Sequence, residues 1–178
     1  NNNFNVIQNE ITDQNGSIVQ PAVIYDYQSN LHLVKGGVFV QGSRKFGRLT
    51  STAGIRSDIN SFTNNGSNPL KTISPRVGVS YALSAKWNVN ASVGKYYKIP
   101  VYTILGFNDQ GTFVNKNAAY IGSMHTVGGF EFLPESNLRF TLEGFYKKYD
   151  NYPGSARDGI SIANSGVSFG QIVSEPVI

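Results

Sequence analysis

The chain has 178 residues, of which 40% are hydrophobic and only 15% charged, with a net charge of +4 and no cysteine. A typical soluble domain is about 25% charged, and the lysines and arginines here are scattered, which leaves no nucleic-acid footprint. Lack of cysteine removes disulfides, thiolate metal sites and cysteine nucleophiles and suits an oxidising compartment, while lack of any 18-residue apolar window removes a helical membrane span.

Residues 1–30 are rich in Asn and Gln and hold the turn pair Asn15-Gly16. They read as an irregular or loop segment ending in the aromatic patch Tyr25-Asp26-Tyr27. The opening NNNFNVIQNE has neither the basic nor the apolar region of a signal peptide, so either the chain was processed or, as the favoured expectation, it is an internal piece of something longer. Residues 31–42 (LHLVKGGVFVQG) form the first expected strand, with Val34, Val38 and Val40 on one face. A turn at 43–47 leads into a second strand, 48–62, where Leu49, Ala53 and Ile55 oppose Arg48, Thr50, Thr52, Arg56 and Asp58. Residues 63–71 (TNNGSNPLK) are a loop.

Residues 76–83 alternate, with Val77, Val79, Tyr81 and Leu83 against Arg76, Gly78, Ser80 and Ala82. After the three-residue turn 84–86, Trp87, Val89, Ala91 and Val93 alternate with Asn88, Asn90 and Ser92. That turn length places Leu83 opposite Trp87 and Tyr81 opposite Val89, so the apolar sets share a side. A long loop, residues 99–122, precedes the strand HTVGGFEFL and, past Pro134-Glu135-Ser136-Asn137, the strand LRFTLEGFYKKYDNYP. A five-residue connection there pairs Phe132 with Leu138 and Phe130 with Phe140, leaving Glu131, Arg139, Thr141 and Glu143 on the polar side.

Short turns on one side, long loops on the other and strands of ten or more residues are the pattern of a transmembrane β-barrel wall. Soluble sandwich strands average about five or six residues. The expected fold is therefore all-β, an antiparallel meander of about six long strands over residues 31–150. Six strands fall short of the eight of the smallest barrels, so the sheet is expected to be part of a larger wall. Val77, Val79, Tyr81, Val89, Ala91, Phe140 and Leu142 are expected to face lipid, and Arg76, Asn88, Asn90, Arg139 and Glu143 the lumen.

The run SPRVGVSYALSAKWNVNASVGKYYKIPVYTILGF at 74–107 resembles the barrel of TonB-dependent outer-membrane receptors, particularly those of Bacteroides-type bacteria. The likeness extends over about residues 31–178 through an AGIRSD-like strand (53–58), an SPR-G-SY strand (74–81) and a W-N-S-GKYY-P strand (87–100). An EGFYKKYDNYP-like strand (143–153) and the segment ISIANSG (160–166) follow in the family's order. The resemblance implies part of a 22-stranded barrel with a plugged lumen in the Gram-negative outer membrane. It also implies TonB-coupled import of a bulky nutrient such as a siderophore, cobalamin or glycan. The implied partners are outer-membrane lipid, the remainder of the barrel, a plug domain and the TonB complex. Neither a plug domain nor a terminal strand ending in an aromatic residue is visible, so an internal fragment is expected, with 151–178 in an extracellular loop.

No enzyme activity, cofactor or metal site is expected. His32 and His125 lack neighbouring ligands at metal spacing and read as ordinary strand histidines near a barrel rim. Glu131, Glu143 and Arg139 read as a lumen-facing ionic network, with a catalytic carboxylate pair as the sharper alternative. Tyr96, Tyr97, Tyr146, Tyr149 and Tyr152 suit an interfacial girdle. In the long loop, Phe107 and Phe113 are the candidate ligand-binding residues, since aromatic faces stack on sugars and planar chelates. Lys147 and Lys148 split between the two faces of a strand, one near the headgroups. A barrel-type outer-membrane enzyme and a soluble all-β ligand-binding module stand as the other classes.

Overall fold

The computed structural model describes residues 2–154 and 161. β1 (Asn2–Gln8), β2 (Ile11–Thr12), β3 (Ile18–Gln20) and β4 (Val23–Ser29) come first, with β1 pairing β4 and β2 pairing β3. The N-terminal segment is thus a hairpin, not an irregular stretch. Its turn is closed by Asp13, whose carboxylate accepts the backbone N–H of Asn15 and Ser17 at 2.8 Å each, while Gly16 takes φ 80.

β5 (Lys35–Phe46), β6 (Leu49–Asn60), β7 (Ser74–Ala82) and β8 (Trp87–Lys98) then run as a meander. α1 (Tyr102–Leu105), β9 (Asn108–Asp109) and β10 (Thr112–Phe113) lie in the long loop, and β11 (Ile121–Glu135) and β12 (Leu138–Asp150) complete the sheet. The sheet order is β12-β11-β8-β7-β6-β5, every pair antiparallel. The expected meander of six long strands is therefore the observed fold. Both edge strands, β5 and β12, lack an outer neighbour among the described residues.

Two connections differ from expectation. β5 runs on to Phe46, which pairs with Leu49, so the turn is Gly47-Arg48 and not residues 43–47. Gly47 takes φ 59 at the first turn position, where a tight hairpin of this type demands glycine. In the last hairpin Phe132 pairs with Phe140 and Phe130 with Leu142, two residues away from the expected register. The cause is a bulge between Phe132 and Glu135. Pro134 has no N–H to give the ladder, and Leu133 turns its N–H to Lys86 O at 2.8 Å. A slip of two keeps every side chain on its face, so the face assignment survives. His32 and Val34 also lie before β5, outside the strand.

Register separates the side chains into two sets. One face carries Val38 and Val40 from β5, Ala53 and Ile55 from β6, and Val77 and Val79 from β7. It continues with Val89, Ala91 and Val93 from β8, Phe130 from β11 and Leu142 from β12. The other carries Thr50, Thr52, Arg56, Arg76, Ser80, Asn88, Asn90, Ser92, Glu131 and Glu143. The apolar face is bare, with Val38 75% and Leu142 74% exposed. The polar face is the concave one, lining a hollow between Thr50, Ser80, Asn90 and Glu143.

Aromatic bands bound the apolar face. At the turn end stand Phe46, Tyr81, Trp87, Phe132 and Phe140, with Trp87 stacked on Phe132 at 4.4 Å. At the loop end stand Tyr97 and Tyr146. Trp87 and Tyr97 are ten residues apart on one strand, about 33 Å along it and about 25 Å along the membrane normal at a 40° tilt. That height matches the apolar band of a transmembrane barrel. Cations on this face keep to its ends, namely Arg44 over the Phe46 ring at the turn end, and at the loop end Lys95 over the Tyr97 ring with Lys148 in the same row. The expected girdle is corrected in part: Tyr96 and Tyr149 pair in register with Ser123 on the polar face. Consecutive strand residues point to opposite faces, so Tyr96 and Tyr97 cannot share a girdle.

Candidate functional site

The loop end of the sheet carries the only buried hydrophobic cluster among the described residues: Ile99, Ile104, Leu105 and Phe107. The loop of residues 99–120 folds around it. Asn115 donates its side-chain amide to Ile104 O at 2.9 Å, and α1 closes on Gly106, whose N–H reaches Tyr102 O at 2.7 Å.

Two other segments tie this loop down. From the N-terminal hairpin, Ser29 donates its hydroxyl to Gly106 O at 2.6 Å, and Gln28 O accepts from the Asn108 side chain at 2.8 Å. From residues 61–73, Asn64 N–H reaches Lys116 O at 2.9 Å, and Phe62 meets Phe113 edge-on at 5.1 Å. Asn60 is the junction. Its Oδ1 accepts Phe62 N–H and Thr63 N–H, and its Nδ2 donates to the Thr63 hydroxyl and to Tyr120 Oη at 2.7 Å. Thr72 clips the same segment to β6 by accepting Asp58 N–H at 2.9 Å and donating to Asp58 O at 2.6 Å. Those are bonds a continuing β7 backbone would have made. Three stretches of sequence thus form one hydrogen-bonded cap.

Phe107 is 3% exposed and belongs to the interior of this cap. Phe113 is half-buried on its side, with Lys116 Nζ 6.0 Å from its ring centroid. The structure therefore separates the two candidate phenylalanines, one inside the loop and one against a neighbouring loop.

Beneath the cap, the concave face holds a cavity of about 480 Å³ lined by Lys35, Arg56, Asp58, Arg76, Tyr96 and Lys98 among others. Arg56 and Asp58, two apart on one face, form an ion pair at 2.6 Å. Arg76 lies 4.4 Å above the Tyr96 ring, and the Tyr96 and His125 rings meet tilted at 35° with centroids 4.5 Å apart. Sequence reasoning missed this cluster because Arg76, Tyr96 and His125 lie on three strands and meet only through register. At the turn end of the same face, Glu131 pairs with Arg139 and accepts from the Asn88 side chain at 2.9 Å. His32 is exposed in the segment before β5, on a different strand connection from His125. No group of three or more His, Cys, Asp or Glu side chains converges among the described residues.

The segment 160–166 singled out in the sequence, and most of the stretch 151–178, lie outside the described residues, apart from a bridge between Gly154 and Ser161. A comparison with known families gives a match to the TonB dependent receptor-like β-barrel over residues 1–174. No individual curated protein matches significantly. That family consists of outer-membrane receptors and transporters and not of enzymes. A two-faced wall with bare edges and a cap at one end is what such a barrel contributes, and the chain belongs to the TonB-dependent receptor-like β-barrel family.

Proposed function

We propose that this chain is a section of the barrel wall of a Bacteroides-type receptor that imports a bulky nutrient across the outer membrane, driven by the TonB complex. The observation that carries the reading is the separation of faces: an apolar surface bounded by aromatic bands about 25 Å apart, backed by a polar concave wall. Lipid covers the first surface, the rest of the barrel pairs with β5 and β12, and a plug domain fills the lumen against the second. The cap of residues 61–73 and 99–120 faces the outside, where loops on a rigid scaffold carry recognition. Phe113, on the flank of the cap, is better placed for ligand contact than Phe107, which holds the loop together. The nutrient is a siderophore, cobalamin or a glycan.

The reading is tested in the native host by deleting the gene and supplying iron, cobalamin or glycan at limiting levels. Growth should fail on one of the three, and uptake of that nutrient in wild-type cells should stop when a protonophore collapses the proton gradient. Growth unaffected on all three, or uptake that survives the protonophore, overturns it.

A further inference from the structure

The loop half of the concave face carries more positive charge than the one carboxylate lining it among the described residues balances. Lys35, Arg56, Arg76 and Lys98 line the 480 Å³ cavity, and that carboxylate, Asp58, is already bound to Arg56. The charge continues sideways. Arg76 is level with Gly94, Gly94 with His125, and His125 with Lys147, so one transverse row crosses four strands with cations at two of its positions and an imidazole between them.

The carboxylates that could neutralise this row lie elsewhere. Glu143, four residues from Lys147 on the same face of β12, is about 13 Å away along the strand, and Glu131, six residues from His125 toward the turn end, is about 20 Å away, both beyond the ~8 Å screening length of physiological salt. Glu131 is also held by Arg139 and Asn88. A concave wall of one sign with low-dielectric surroundings focuses field and concentrates ions of the opposite sign.

Arg76 is also set in place for a ligand. Its guanidinium rests on the Tyr96 ring, which fixes its plane, and its Nε is buried with no hydrogen-bond partner among the described residues. A guanidinium held against an aromatic ring with an unmet N–H, within a cationic wall, suits a planar carboxylate, which takes two parallel N–H bonds from arginine.

We propose that this cavity is an anion-binding site at the outer mouth of the barrel, and that the imported ligand is a polyanion that presents carboxylates to Arg76. The inference rests on the import reading above. An acidic segment of the plug is the other polymer that could reach these cations, but the cavity lies directly under the cap, on the ligand's way in.

The test uses the purified full-length receptor and citrate, a compact tricarboxylate, titrated calorimetrically with maltotriose as the uncharged comparator. Citrate should bind and maltotriose should not. Raising salt from about 20 mM to about 300 mM should weaken citrate binding about tenfold or more, because the Debye length shortens severalfold. Arg76→Gln should weaken it by a further factor of about ten or more, consistent with loss of one charged partner. Arg76→Lys should keep part of the affinity, and Lys95→Gln, on the lipid face, should change nothing. Heat-modifiable gel migration confirms that each variant retains a folded barrel. No citrate binding by the wild type, or binding that Arg76→Gln leaves intact, overturns the proposal. So does a new ion conductance in planar bilayers caused by Arg76→Gln without any effect on citrate, since the cations would then be holding an acidic plug segment. Protonophore-sensitive nutrient uptake tests the import reading separately, and it stands or falls whatever citrate does.

Discussion

Arg76 and Tyr96, twenty positions apart in sequence, lie in contact across β7 and β8, the guanidinium 4.4 Å from the ring centroid. They meet over Gly94. A Cβ built there would stand 3.1 Å from Arg76 Cγ and 3.1 Å from both Cε2 and Oη of Tyr96. Any side chain there would force Arg76 and Tyr96 to shift by a few tenths of an ångström to keep their contact.

Gly94→Val should lift the pair off the wall. The cation–π contact is worth about 0.5–2 kcal/mol, so citrate affinity should fall severalfold while the barrel stays heat-modifiable on gels. Gly144→Val is the comparator, because a Cβ at that lipid-face glycine meets nothing within 4 Å. Equal loss of citrate binding in both variants would show that the contact over Gly94 has no special part.

Much of this wall is legible in the sequence for one reason: one of its faces meets an apolar medium. Val77, Val79 and Tyr81 alternate with Arg76, Gly78 and Ser80 because a period of two is the only one that serves a strand with unlike sides. The Tyr81–Val89 pairing follows from a three-residue turn that admits little else. The Phe132–Phe140 pairing was not legible, because Pro134 diverts the backbone into a bulge whose length nothing local announces. Nor was the N-terminal hairpin, whose adjacent apolar pairs Val6-Ile7 and Val23-Ile24 break the period of two. The interior position of Phe107 was hidden for a third reason. Loops have no period, and a buried loop aromatic looks like an exposed one until the packing is seen.

The face assignment makes a quantitative prediction for the parent barrel. Val79→Lys puts a charge on the lipid face near the bilayer midplane and should cost roughly 2–4 kcal/mol. Asn90→Lys, on the concave face opposite Ser80, should cost little. Chemical denaturation of the receptor in lipid vesicles measures both. Equal costs would show that the faces are wrongly assigned because neither meets lipid, and a reversed order that the two are interchanged.

Asn60 is 3% exposed and satisfies four partners from its side chain alone. Truncation to alanine leaves Phe62 N–H, Thr63 N–H and Tyr120 Oη to find new partners, at about 1–3 kcal/mol for each group left buried and unpaired. The cost falls on the cap and not on the sheet. Asn60→Ala should therefore make residues 61–73 and 99–120 sensitive to protease added to intact cells, with barrel migration unchanged. Thr72→Val, which removes both bonds to the Asp58 backbone at nearly constant volume, should do the same for residues 61–73. Full protease resistance in both variants would mean that the cap is held by its apolar cluster alone.

Removal of residues 107–113 should weaken ligand binding while leaving the barrel folded, since this stretch lies wholly within the cap. Single substitutions then distinguish contact from support. Phe107 is buried with Ile104 and Leu105, and large-to-small changes of buried aromatics cost about 3–5 kcal/mol. Phe107→Ala should therefore open the loop to protease and weaken binding together. Phe113 rests on Phe62 from the side, so Phe113→Ala removes an edge-to-face contact worth about 0.5–1.5 kcal/mol and leaves the loop interior filled. If Phe113 touches the ligand, its loss lowers affinity in a loop that still resists protease. If affinity falls only when protease resistance falls with it, both rings act through the shape of the cap, and the ligand is gripped by the cationic wall below.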